Sequence, residues 1–386
     1  MFKNWLAFGM SAYNTPGFQD TSRLMTRGFD GEVVYVEPPQ SLLRWRNANA
    51  LMWDWQPREH DAHHTVLTPP LSIPKKLDIF SLGLKRQASN LNTELSYRWG
   101  HEWRKETVVY VTNWTPYQYR LIECLNPTYL VFDCVDDVLA FPYDWNRDKV
   151  IEAWKRIANR ASSVLAVSPT LRDQMETQLN RSVTLMPNGV DAQLFMKPAS
   201  AVPPALELAG DKLRVGFAGT LNHWINFEAM LTLVEDFPEV TLFLLGRQGQ
   251  MAEQQAQTFK RLLDHDRVHY LGGVPYEELP GYLQAQDVLI LPRIASSASE
   301  ASNPLKLFEY LAVGKPTVVG GVPIAQDLNR LVYGAETSLS YQDAFRRALD
   351  ELRNPSPGIV RERQAYAMRR TWSERVRSTL RAIQTT

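Results

Sequence analysis

Lys306 and Glu309 place a cation and a carboxylate one helical turn apart within the run SNPLKLFEYLAVGKPTVV, Ser302 to Val319. Asn303 reads as an N-cap and Pro304 as the first helical residue. Gly314 and then Pro316 stop the helix, and Thr317 to Val319 resume as a strand. Leu305, Phe308 and Ala312 form its inward stripe. Lys306 then lies in the first turn, where the helix dipole disfavours a cation by roughly 0.3–1 kcal/mol. An anion outside the helix would account for it; an exposed ion pair worth a few tenths of a kcal/mol is the competing reading. The apolar run DVLILP, Asp287 to Pro292, comes just before. In a parallel sheet this order brings the helix N-terminus to the carboxyl edge of the strands, where ligands bind.

The elements that must position this helix are visible on both sides of it. The first half carries six β-branched, apolar runs: WLAFGM, EVVYVEP, TVVYVTN, TYLVFDCV, SSVLAVSP and SVTLMPN. Helical patterns such as RDKVIEAWKRIANRA separate several of them. That alternation predicts an α/β fold with an open parallel sheet. Met196 to Asp211, rich in Pro and Ala, reads as a linker. A second sheet follows, with strands LRVGFAG, VTLFLLG, VHYLGG, DVLILP and PTVVGG. Four of these end in glycine (Gly219, Gly246, Gly272 with Gly273, Gly320 with Gly321), which lets a ligand approach the backbone at that edge. The expected organisation is an N-terminal domain over 1–195, a linker over 196–211 and a C-terminal domain over 212–365. A basic C-terminal helix, 366–386, is placed to pack back on the first domain by Trp372 and Leu380, or to meet a membrane surface.

Composition narrows the function classes. The 386 residues suit two domains, and 42 basic against 42 acidic residues leave no excess cation to neutralise nucleic-acid phosphates. Two cysteines, Cys124 and Cys134, make neither a disulfide framework nor a zinc site, which fits a reducing cytoplasm. No run approaches the roughly 18 apolar residues that cross a bilayer, so any membrane contact is peripheral, at the inner face. Nine of the 11 tryptophans precede residue 155, which suits sugar stacking, a lipid headgroup layer or ordinary core packing.

The motifs VGFAGTLNHWINFE, VHYLGGVPYEELPGYLQAQDVLILP and SNPLKLFEYLAVGKPTVV resemble the donor domain of nucleotide-sugar-dependent glycosyltransferases of the GT-B fold, which pair two Rossmann-like domains facing across a cleft. YVEPPQSLLRW, LVFDCVDD, SPTLRDQM and MPNGVDAQLF are similar to bacterial members that build cell-surface polysaccharides. The resemblance implies that Glu309 accepts hydrogen bonds from the donor ribose and that Lys306 faces the diphosphate. Asn303, Pro304 and Leu305 would lie at the sugar–phosphate junction, Gly273 and Val274 beside the base. Arg293 and Arg247 would be further cations. Thr220 and Leu221 stand where relatives carry arginine and lysine, and Ala301 stands in the first acidic slot of the usual E-x7-E pattern, with Glu300 displaced by one.

For the chemistry, LVFDCVDD supplies a base. Asp136, just past its strand, would take the acceptor proton, with Asp137 beside it raising its pKa or capping the next helix. Gln19 and Asp20, after the first strand's glycine-containing loop, are candidates to contact acceptor or donor sugar, as is Asp137. No metal or other cofactor is expected: Asp264-His265-Asp266 reads as a turn, and His60, His63 and His64 lack ligand spacing. The expected activity is transfer of a sugar, in all a hexose from a UDP-sugar, to a saccharide or lipid-linked acceptor. A nucleotide-sugar 2-epimerase and a non-catalytic sugar-nucleotide-binding subunit are the alternatives.

Overall fold

The computed structural model describes residues 2–15, 20–39, 55–70, 82–114, 116–141, 146–335 and 338–384. Two compact units share the chain: Met1–Pro187 with Trp372–Thr386, and Asn188–Thr371.

The first unit is built on β1 (Asn4–Phe8), β2 (Glu32–Val36), β3 (Gln56–Glu59), β4 (His64–Thr68), β5 (Thr107–Thr112), β6 (Tyr129–Cys134), β7 (Ser163–Ala166) and β8 (Thr184–Leu185), in the order β3-β4-β2-β1-β5-β6-β7-β8. Only β3 against β4 is antiparallel among these pairings. β3, sequence QPRE, is exposed throughout and carries a proline, which suits a sheet edge and explains why no apolar pattern announces it. Every residue of β1 and β5 is buried, the pattern of strands covered on both faces.

The second unit holds β9 (Leu213–Ala218), β10 (Val240–Leu245), β11 (Val268–Gly272), β12 (Val288–Pro292), β13 (Thr317–Gly320) and β14 (Tyr333–Ala335), all parallel, in the order β11-β10-β9-β12-β13-β14. Winding reverses between β9 and β12 here, and between β1 and β5 in the first unit. A doubly wound sheet opens its ligand crevice at such a reversal, outside the carboxyl ends of the strands. The segment 196–211 carries a short 3-10 helix, Pro204–Ala209, with Leu206 and Ala209 buried in the second unit's core.

Glycine decides how closely the ends of β9, β10 and β11 approach. The Gly219 amide donates to the Leu245 carbonyl, and the Gly246 amide donates to the Gly272 carbonyl. A Cβ on Gly246 would lie 1.8 Å from the Gly219 carbonyl oxygen, and its φ of +140° already disfavours any other residue. Gly246→Ala is therefore expected to destabilise the protein by roughly 1–3 kcal/mol, read as a lower thermal unfolding midpoint.

The basic C-terminal stretch forms two helices. Ile359–Met368 belongs to the second unit, the helix is interrupted over Arg369–Thr371, and Trp372–Gln384 belongs to the first. Its inward face includes an arginine as well as Trp372: Arg375 is 4% exposed and lies 2.7 Å from the fully buried Asp133. Tyr110 donates to Asp133 at 2.5 Å, and the guanidinium also donates to the carbonyls of Pro187 and Met186. Burial pulls the Arg375 pKa down, but the charges of Asp133 and Tyr110 and the hydrogen bonds to them together outweigh it and raise it. Arg377 and Arg381 both pair with Glu374, so these cations serve contacts within the helix.

Candidate functional site

In the second unit a short helix, Ser297–Glu300, follows β12, and the next helix spans Leu305–Val313 and ends at Gly314 in the left-handed conformation, φ +84°. Pro304, not Asn303, is its N-cap, and no side chain caps it. Asn303 serves elsewhere: its side-chain oxygen accepts the Asn188 amide at 2.8 Å while its carbonyl accepts Asn188 Nδ2 at 2.7 Å. The pair ties the approach to the helix onto the 188 loop. The apolar stripe understates the burial, since every residue from Leu307 to Val313 is buried. Tyr310 fixes the helix at the sheet's reversal point by exchanging hydrogen bonds with the amide and carbonyl of Ala218, at the end of β9.

The Lys306 ammonium donates to Glu309 Oε2 at 3.0 Å. Glu309 is only 2% exposed and Lys306 18%, so this is no surface pair. Burying two charges in the first turns of a helix is costly unless they are mutually satisfied. Gly219 lies close by, with a Cβ there falling 3.9 Å from Lys306 Cε, so the lysine stem runs along the end of β9.

The other expected donor residues gather at the same strand ends. Arg293 follows β12, donates to Ser302 Oγ at 3.3 Å and lies 5.6 Å from the centre of the Trp224 ring. His223 meets Trp224 edge-on, and burial, with Arg293 nearby, lowers the His223 pKa, so that loop holds a neutral imidazole. Gly273 is exposed, with the Arg247 side chain 3.5 Å from where its Cβ would be, and Val274 is half-buried. Thr220 is half-buried, whereas the Leu221 side chain is in the core, so that only its backbone faces the edge. Leu305 is half-buried at the start of the helix.

In the first unit, Asp136 follows β6 at its carboxyl end. Its Oδ2 accepts the Trp114 indole N–H at 2.9 Å. Asp137 carries the raised pKa, and the cause is burial rather than its neighbour's charge; the nearby amides of Ala140 and Leu139 and the charge of Arg147 offset part of it. Asp20 is fully buried, and its carboxylate accepts from the amides of Met10, Ser11 and Ser22, from Ser11 Oγ and from the Tyr35 hydroxyl. Through those hydrogen bonds Asp20 holds the loop after β1 and caps the next helix. Gln19 lies outside the described residues. Trp114 is one of the nine tryptophans before residue 155, and its place directly after a buried strand is the sequence signal that sets it apart. Several of the others simply fill the core: Trp5, Trp55, Trp103, Trp154 and Trp372 are all buried.

The histidines have other partners. His63 pairs with Glu32, His64 with Asp61, and His60 packs on Tyr13. Among the described residues, no group of three or more potential metal ligands forms, no helix is long and apolar enough to cross a membrane, and both cysteines are free.

Residues 201–355 match the family described as glycosyl transferases group 1. That stretch makes up most of the second unit. With the two parallel-sheet α/β units, the chain has the GT-B fold. Sucrose-phosphate synthase from Thermosynechococcus elongatus superposes with a TM-score of 0.71 at 13% identity, covering 99% of this chain and 98% of that one. HepE of Anabaena, solved in complex with UDP and glucose, gives 0.65 at 16% identity, covering 99% and 100%. A curated relative, the putative teichuronic acid biosynthesis glycosyltransferase TuaH of Bacillus subtilis, is 26% identical over 212 residues, 52% of each chain. The alignment thus spans about half the length of that relative. The group 1 match includes β9 to β14 and therefore Lys306, Glu309 and Arg293.

Proposed function

We propose that this protein transfers a hexose from a UDP-sugar to a saccharide or lipid-linked acceptor in the synthesis of a cell-surface glycan. The observation that carries the reading is the buried Lys306–Glu309 pair at the carboxyl edge of a doubly wound sheet, within the stretch that matches group 1 glycosyl transferases. The bound UDP and glucose of HepE support the choice of donor, and the likeness to TuaH supports a surface polymer as the product.

Donor binding exchanges one ion pair for two contacts. Lys306 turns from Glu309 to the diphosphate, and Glu309 presents its oxygens to the vicinal ribose hydroxyls. Arg293 and the helix N-terminus add positive potential where the leaving group gathers charge, and Arg247 reaches the same edge beside Gly273 and Val274, which border the base. Asn303, Pro304 and Leu305 offer backbone groups at the sugar–phosphate junction, as do Thr220 and Leu221 at the end of β9. Asp136 takes the acceptor hydroxyl proton as the acceptor oxygen's electron pair bonds to the anomeric carbon. The bond from that carbon to the phosphate oxygen breaks, and its electron pair leaves with UDP. No metal is needed for charge balance when cations and a helix N-terminus face the diphosphate.

Calorimetric titration with UDP-glucose tests the donor half. Glu309→Gln keeps the shape but loses the charge, and the dissociation constant is expected to rise roughly 10- to 100-fold. Unchanged affinity in a folded variant would remove Glu309 from the donor site. Product analysis separates a transferase from an epimerase, which would change the sugar and release no UDP.

A further inference from the structure

We infer that the second unit carries a saccharide-binding groove on the face of its sheet opposite the Lys306–Glu309 helix, between the helices Phe227–Asp236 and Glu253–Leu263 and adjoining a cavity over Tyr341.

Topology separates this groove from the Lys306 helix. The crossover from β9 to β10 runs toward one edge of the sheet and the crossover from β12 to β13 toward the other, so right-handed connections put Phe227–Asp236 and Leu305–Val313 on opposite faces. Helix Glu253–Leu263, which joins β10 to β11, shares the face of Phe227–Asp236. Where the two pack they leave a groove of about 510 Å³, inside the range of roughly 300–1,000 Å³ common to small-molecule sites. Its frame is tied down. Gln255 Nε2 donates to the carbonyls of His223 at 2.9 Å and Ile225 at 3.4 Å, the Asn226 amide donates to the Pro292 carbonyl, and the Ile294 amide donates to the Trp224 carbonyl.

The lining selects the occupant. Glu228, Gln254, Gln257, Thr258 and Arg261 border the groove, and among the described residues their side chains make no hydrogen bond or ion pair within the protein. Carboxamides and a hydroxyl both donate and accept, as sugar hydroxyls do. One cation and one carboxylate offset each other, which leaves no net charge to hold a phosphate. Ile294, 37% exposed, offers an apolar surface beside them for the C–H face of a sugar ring. The adjoining cavity, about 260 Å³, shares Asn226 and Ile294 with the groove and is also lined by Gly320 and Tyr341. Tyr341 is 4% exposed and its hydroxyl has no hydrogen-bond partner, a costly state for a buried polar group. Glycine at 320 leaves the tyrosine ring its place, since a Cβ there would fall 2.9 Å from it. A sugar hydroxyl entering from the groove supplies the missing partner.

Saturation-transfer NMR and calorimetry on the full chain, with maltotriose, cellotriose and chitotriose as probes, test the site. At least one trisaccharide is expected to bind, and to stay bound when UDP-glucose is saturating. Gln254→Ala combined with Gln257→Ala removes two carboxamides from exposed helix positions. It is expected to weaken that trisaccharide roughly 10-fold, with the dissociation constant of UDP-glucose within about twofold of wild type. Tyr341→Phe removes only the hydroxyl. A fall in trisaccharide affinity of roughly fivefold, with the unfolding midpoint unchanged or raised, is the expected signature of a group kept for a ligand, because an unpartnered hydroxyl contributes no bond to the fold. Failure of all three probes to bind, displacement by UDP-glucose, or full trisaccharide affinity in either variant would each overturn the inference. Wild-type affinity for UDP-glucose is read in the same titrations, so a failure of the donor reading shows there and leaves the trisaccharide result standing.

Discussion

Replacing Asp136 with asparagine is expected to lower kcat for sugar transfer by roughly 10²–10⁴-fold while leaving the affinity for UDP-glucose unchanged. The amide is nearly isosteric and can still accept the Trp114 N–H, so the fold and the loop survive. On the proposed role of Asp136, what disappears is the proton acceptor. The acceptor hydroxyl is then attacked through its neutral, weakly nucleophilic form, and the barrier rises by the share that proton transfer had removed. Stereochemistry supplies an independent check. If the proposed base acts in a single displacement, proton NMR of the product will show inversion at the anomeric carbon. Retention, or an asparagine variant with full turnover, would assign the proton to another group. Ala301, in the slot where related sequences carry an acidic residue, is consistent with a base supplied from elsewhere.

The largest effect on stability is expected at Arg375. Arg375→Ala leaves the Asp133 carboxylate fully buried, with its 2.7 Å partner gone, and removing one half of a buried pair costs about 3–5 kcal/mol. Three further features sharpen the case. Tyr110 donates to the same carboxylate, its own pKa is raised by burial and by Asp133, and the guanidinium otherwise satisfies two carbonyls. For a unit of this size the fall in Tm is roughly 6–20 °C, measurable by calorimetry as a shift of the transition that belongs to the first unit. Pairing Arg375→Met with Asp133→Leu should recover a large part of the loss, because replacing both charges by apolar groups leaves nothing stranded. Equal losses in the single and double variants would show that packing by the arginine stem, not charge, carries the stability.

Where burial follows from apolar content, the sequence was legible. The strands that feed the sheets, the helix carrying Lys306 and Glu309 and its glycine stop all follow from local pattern and turn chemistry. Polar residues that fold inward were not. Asp20, Asp133 and Arg375 look like solvated charges in one dimension, and their burial depends on partners that only the tertiary fold supplies. The same holds for Asn303, which looks like a helix cap and instead grips Asn188, 115 positions away. β3, β4 and β14 are absent from the sequence reading: β3 and β14 are short edge strands that need little apolar content, and β4 is announced by only three buried residues, Thr65 to Leu67. Trp114 and Asp136 meet only because β5 and β6 are neighbours in the sheet.

The first unit takes its last helix, Trp372–Gln384, from beyond the second unit. A ribosome adding 5–20 residues each second needs roughly 10–40 s to travel from Pro187 to that helix. Through that interval the nascent first unit waits with the Asp133 carboxylate and Tyr110 hydroxyl uncovered, while the second unit emerges whole and can fold first. The domain synthesised earliest is therefore the last to be finished. A holding chaperone, or a slow codon run placed before residue 372, would act on that one unsealed face.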